Sequence, residues 1–136
     1  MTERNVYVAG APRRQEPGGW FGSQHAQLIE DVFRNAQTIF FPPRHIREEP
    51  KELFSEVFEK ISASRGGIMF IAAKSSGPLV ELGLFAAQNK PQVIVASNKI
   101  HGSVLLRGLP NIVGRTNFNN DYEIERLLYI LKDIIL

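Results

Sequence analysis

The 136-residue chain predicts one doubly wound α/β domain, a flavodoxin-like (Rossmann-like) parallel five-stranded sheet with helices on both faces. Three observations carry that expectation. Short apolar runs of strand length alternate with longer stretches whose apolar residues recur at helical spacing. One run, Ile68-Met69-Phe70-Ile71-Ala72, is apolar without interruption, as in a strand buried on both faces. The connections are short, and strand–helix–strand order with short links calls for parallel pairing through crossover helices.

Each element has its own local cause. Val6-Tyr7-Val8-Ala9 is rich in the β-branched and aromatic residues that favour a strand, and a Gly/Pro/Arg-rich loop follows over residues 10–22. From about residue 23 to 36, Ala26, Ile29, Val32, Phe33 and Ala36 fall on one helical face. Thr38-Ile39-Phe40-Phe41 forms a second strand, stopped by Pro42-Pro43. Beyond a charged loop, Leu53, Val57, Phe58 and Ile61 mark the inward face of a second helix. Residues 68–72 form the third strand, and Lys74-Ser75-Ser76-Gly77-Pro78 suits a strand-to-helix turn into a third, mostly buried helix. Pro91-Gln92-Val93-Ile94-Val95-Ala96 forms the fourth strand and Asn111-Ile112-Val113 a short fifth. A last helix from about Tyr122 turns Ile124, Leu127, Leu128, Ile130 and Leu131 inward. No repeat, linker or low-complexity segment divides the chain, so residues 1–136 are expected to form a single domain.

Composition narrows the function. The chain is 43% hydrophobic and 22% charged, the balance of a soluble globular protein. Sixteen basic residues against fourteen acidic ones leave a net charge of +2 with no dense Lys/Arg block, which argues against a nucleic-acid polymer as partner. Cysteine is absent, so disulfides, thiolate metal sites and a thiol nucleophile are excluded, and a cytoplasmic location is expected. His25, His45 and His101 lack metal-ligand spacing, so neither a metal nor another cofactor is expected. No run of about 18 apolar residues occurs and no signal pattern opens the chain, so no membrane partner is expected.

The chemistry centres on Glu81, the one charge within Leu79-Val80-Glu81-Leu82-Gly83-Leu84-Phe85-Ala86-Ala87. Burying an unpaired carboxylate is costly or forces its pKa upward. An acid early in a helix also offsets the helix dipole, but such an acid ordinarily faces water. A desolvated yet anionic carboxylate is what attack on a sugar anomeric carbon needs. In doubly wound sheets ligands bind beyond the carboxyl ends of the strands, so the loops at residues 10–22, 74–78 and 97–108 should converge near it. Gly10 and Arg13 suit a phosphate through backbone N–H and guanidinium donors, although a solvated loop has the same composition. Ser75, Ser76 and Gly77 suit an anion cradle at a helix start, or simply a helix cap. Ser103 and Arg107 can reach a phosphate or a neighbouring subunit, or form an ordinary polar flank. Tyr7, Trp20 and Phe21 can stack on a planar ligand, although aromatics are more often core.

Val6-Tyr7-Val8-Ala9-Gly10-Ala11-Pro12-Arg13, then Ser75-Ser76-Gly77-Pro78-Leu79-Val80-Glu81-Leu82-Gly83, Asn89-Lys90-Pro91 and Ser103-Val104-Leu105-Leu106-Arg107-Gly108 resemble, in order and over almost the whole chain, the nucleoside 2-deoxyribosyltransferase superfamily. They look closest to its 2'-deoxynucleoside 5'-monophosphate N-hydrolase branch. The resemblance implies a usually dimeric α/β enzyme that cleaves the bond between base and sugar. It implies Glu81 as nucleophile at C1', Tyr7 beside it, and Gly10, Arg13, Ser75 and Gly77 around the 5'-phosphate. Ser103 would reach the phosphate of the neighbouring subunit's ligand. The chain departs from the pattern in two places: Val57, with Glu56 beside it, stands where the family carries an aspartate on the second helix, and Ser64-Arg65 stands near a second family aspartate. One residue turns a helical side chain by about 100°. The leading expectation is hydrolysis of a (deoxy)nucleoside 5'-monophosphate. The alternatives are a TIR-like NAD glycohydrolase, or a nucleotide-binding module with impaired catalysis.

Overall fold

The computed structural model describes residues 3–10, 23–42, 49–71, 77–96 and 107–136. Five strands, β1 (Asn5–Ala9), β2 (Thr38–Phe40), β3 (Gly66–Ile71), β4 (Gln92–Ala96) and β5 (Ile112–Asn117), pair in parallel in the order β2-β1-β3-β4-β5. The helices are α1 (Ser23–Val32), α2 (Pro50–Ser62), α3 (Gly77–Ala87) and α4 (Asp121–Ile135). This is the doubly wound α/β architecture expected from the sequence, in the flavodoxin-like strand order.

Alternation along the strands divides the core in two. Val6, Val8, Ile68, Phe70, Val93 and Val95 meet Ile29, Val32 and Phe33 of the α1 region and Ile124, Leu127, Leu128 and Leu131 of α4. Tyr7, Ala9, Met69, Ile71, Ile94 and Ala96 face Ile61 of α2 and Leu82 and Phe85 of α3. The candidate site lies on the second face. Gly67, in register between Tyr7 and Gln92, lets α3 approach: a methyl group there would stand 2.9 Å from the Phe85 ring.

Helix starts follow capping chemistry. Glu49 caps α2 by accepting from the Lys51 amide, with Pro50 in the first turn, where its missing N–H costs nothing. Asn120 caps α4 by accepting from the Glu123 amide at 3.1 Å.

Several boundaries and orientations differ from expectation. α1 ends at Val32 rather than near Ala36, since residues 33–35 form a turn, yet Phe33 and Ala36 still pack on the core. β2 stops one residue early, at Phe40. β5 runs six residues instead of three. Its second half, Arg115-Thr116-Asn117, carries no apolar signature because an edge strand is only partly covered. Phe58 does not face inward: it is exposed and stacks with Phe54, one helical turn away, at 6.2 Å between centroids. α3 is covered on one side only, by Leu82 and Phe85, while Leu79 and Val80 are exposed. Among the described residues no helix is long and apolar enough to cross a membrane.

Candidate active site

Tyr7, on β1, is buried with its ring tilted against Phe85, centroids 5.6 Å apart. Its hydroxyl donates to Glu81 Oε1 at 3.0 Å. Glu81 occupies the second turn of α3, immediately before Leu82, whose side chain anchors that turn in the core. The helix therefore fixes the carboxylate over the sheet, and the strand supplies its donor.

Burial raises the Glu81 pKa from 4.5 to about 7, and the Tyr7 hydrogen bond opposes that rise. Of the two opposing effects that the sequence sets against each other, helix dipole and burial, desolvation wins, and the carboxylate titrates near neutrality. The Tyr7 phenol is pushed well above its ordinary range, first by burial, then by the Glu81 charge and hydrogen bond, and finally by the Glu56 charge. It stays protonated and acts only as a donor.

Glu56, on α2, acts on Tyr7 by its charge. It is half-buried and ion-paired with Lys60 at 3.1 Å, and the Lys60 ammonium lies 5.8 Å from the Phe40 ring centroid. Val57, at the position of the family aspartate, instead packs on the core cluster that contains Tyr7. Ser64 is buried and its hydroxyl donates to the Lys60 carbonyl at 2.6 Å, while Arg65 donates to the Ile135 carbonyl at 3.0 Å. Neither is placed by these contacts to replace an acid. Lys90, from the Asn89-Lys90-Pro91 segment, donates to the carbonyls of Ile61 and Ser62 at 2.8 Å each, closing the C-terminus of α2.

Of the other predicted site residues, Gly10 lies at the bend directly after β1, and Gly77 opens α3 with open space beside it. Arg13, Ser75 and Ser103 lie outside the described residues, as do most of the three loops expected to converge. The structure thus brings Tyr7 and Glu81 together, with Glu56, one of the acids near Val57 in sequence, close enough for its charge to act on Tyr7. The amphipathic spacing of α2 carries that signal: with Val57 and Ile61 inward, residue 56 flanks the buried face.

No family model matches the chain, and no curated protein matches it. Among solved structures it is similar to the CMP N-glycosidase BcmB of Clostridium botulinum, with a TM-score of 0.60 and 18% sequence identity. That similarity covers 97% of this chain and 99% of that one. At this identity the likeness concerns the fold, a doubly wound sheet spanning nearly the full length of both chains. What the arrangement can do chemically follows from the pair itself. A half-buried carboxylate titrating near neutrality, with a permanently protonated phenol beside it, can attack an electrophilic carbon when ionised.

Proposed function

We propose that this chain hydrolyses the N-glycosidic bond of a (deoxy)nucleoside 5'-monophosphate, with Glu81 as nucleophile. The observation that carries the reading is the Tyr7–Glu81 pair: a desolvated carboxylate held on a rigid helix by a buried phenol. The fold shared with a CMP N-glycosidase supports it, as does the resemblance of the surrounding segments to the nucleoside 2-deoxyribosyltransferase superfamily. Ionised Glu81 attacks C1', and the electron pair of the C1'–N bond leaves with the base, which takes up a proton. A glycosyl ester of Glu81 remains. Water then attacks C1', its proton passes to an acceptor carboxylate, and the ester bond breaks to return Glu81 as carboxylate. Glu56, ion-paired with Lys60 and near enough for its charge to act on Tyr7, is our choice for that acceptor. Gly10, Arg13, Ser75 and Gly77 take the 5'-phosphate in this reading, and Ser103 takes that of a neighbouring subunit.

The same reading makes the working unit a homodimer joined through the outer face of α2 and α3. Phe54, Phe58, Leu79 and Val80 are 51%, 44%, 41% and 54% exposed there, and Glu81 is the one charged residue of α3. A helix apolar around most of its circumference is ordinarily covered on both sides.

The test is incubation with CMP, dCMP and the other nucleoside monophosphates, with chromatography for free base and an NAD arm monitored for nicotinamide. Base release from a monophosphate, abolished by Glu81→Gln, is the expected result. Nucleotide binding without release of any base would sink the enzymatic reading, and nicotinamide release alone would replace it with NAD glycohydrolysis.

A further inference from the structure

On the sheet face covered by α2 and α3, three buried polar atoms have no hydrogen-bond partner: Asn5 Oδ1 on β1, Gln92 Oε1 on β4 and Arg115 Nη1 on β5, of which the last two are neighbours. Their strands are adjacent and parallel, with Gln92 opposite Ile112 and Arg115 opposite Ile94. Both side chains therefore rise from one face, two residues apart along neighbouring strands, with Cα atoms roughly 8 Å apart from strand spacing and rise. Gln92 is wholly buried, and its amide nitrogen already donates to the Leu82 carbonyl of α3 at 3.2 Å. Its oxygen is the free end. Among the described residues no carboxylate pairs with Arg115.

A buried guanidinium nitrogen without an acceptor is costly, and so is a buried carbonyl without a donor. The two do not bond each other: one is left needing an acceptor, the other a donor. A carboxylate or a sulfate dianion supplies only the first. A phosphate that keeps one proton supplies both. Near pH 7 a phosphate monoester has mostly lost its second proton, whose pKa is about 6, whereas inorganic phosphate still carries one. We propose that Arg115 and Gln92 form a phosphate site that takes inorganic hydrogen phosphate, with Arg115 donating to P–O⁻ and Gln92 accepting from P–OH. The Tyr7–Glu81 pair lies on the same sheet face two strands away, and the site does not depend on the glycosidase reading.

The experiment compares melting curves and calorimetric titrations of the full chain in sodium phosphate and sodium sulfate at matched ionic strength and pH 7. Phosphate is expected to raise the melting temperature by several degrees and sulfate by much less. Arg115→Met is expected to lose the phosphate shift while melting no lower than the parent chain without phosphate, since it removes a buried N–H that has no acceptor. Gln92→Leu is expected to erase the preference for phosphate over sulfate. Where Arg115→Met does not fold, Arg115→Lys serves instead: phosphate affinity at least tenfold weaker supports the site, and unchanged affinity overturns it. Equal shifts in phosphate and sulfate, or an undiminished phosphate shift in Arg115→Met, also overturn it. Adding CMP separates the two sources: phosphate binding unaffected by CMP supports a site for the free ion, and displacement by CMP overturns that assignment in favour of the nucleotide's own phosphate.

Discussion

Tyr7 and Glu81, 74 positions apart in the chain, share a 3.0 Å hydrogen bond that runs from a buried phenol on a strand to a half-buried carboxylate on a helix. The phenol never ionises near neutrality, because burial and the Glu81 charge both push its pKa up. Its donation opposes the desolvation that lifts Glu81 to about 7. Tyr7→Phe leaves that desolvation unopposed, so Glu81 titrates higher still. The expected outcome is an acid limb of the kcat/KM profile displaced upward by about one pH unit, a roughly tenfold loss below neutrality and recovery in base. A uniform loss with the limb in place would assign Tyr7 a different role.

The same carboxylate sets a stability signature. Its folded pKa is raised from 4.5 to about 7, so within that window the folded chain keeps a proton that the unfolded chain has released. Stability therefore falls as pH rises through the window, by on the order of 3 kcal/mol in the fully ionised state. Glu81→Gln removes this dependence. It should match the parent chain near pH 4 and exceed its stability at pH 8, as read by urea unfolding at both pH values.

The architecture was legible because its signals are local and redundant. β1, β3 and β4 are buried along their whole length, so apolar composition alone marks them, and their parallel pairing follows from the crossovers. Glu81 stood out as the one charge in an apolar helix, and desolvation did shift its pKa. The second half of β5 was illegible, since Arg115-Thr116-Asn117 has the look of a loop and pairs only because β4 offers its edge. The outward turn of Phe58 was illegible too: its spacing from Leu53 and Ile61 fits an inward face, and a partnerless apolar surface has no mark in periodicity. Glu56 acts on Tyr7 through space, by its charge on α2, which no local pattern encodes.

Lys90 ties the helices under the site to each other. It follows α3 directly and places its ammonium 2.8 Å from both the Ile61 and Ser62 carbonyls at the end of α2, where the Ile61 carbonyl also accepts from the Ser64 amide at 3.1 Å. Lys90→Met keeps the stem and removes both donations. A stability loss of about 1–3 kcal/mol is expected by denaturant unfolding. Lys90→Arg, which retains a donor, should lose less.

Glu56 separates the two halves of the proposed reaction. As acceptor for the attacking water's proton it acts after the base has left, so Glu56→Gln should leave the first turnover of base release largely intact and slow the steady state by roughly 100-fold. The glycosyl ester on Glu81 should then accumulate and appear by intact-protein mass spectrometry. Equal losses in the burst and the steady state would remove Glu56 from the hydrolytic step.

The α2/α3 surface is tested by charge. Phe58 stacks on Phe54 at an exposed face of α2, and Leu79 and Val80 of α3 are exposed as well. A carboxylate at residue 58 faces water in an isolated chain and is nearly neutral there, but in a two-fold interface it appears twice and each copy must be desolvated. Phe58→Asp should therefore convert a dimer to a monomer in sedimentation at micromolar concentration while the single-chain fold, read by circular dichroism, persists. The burial that lifts Glu81 to about 7 arises within the single chain, so the monomeric variant should keep that elevated pKa. A variant that sediments like the parent chain would remove this face from the assembly.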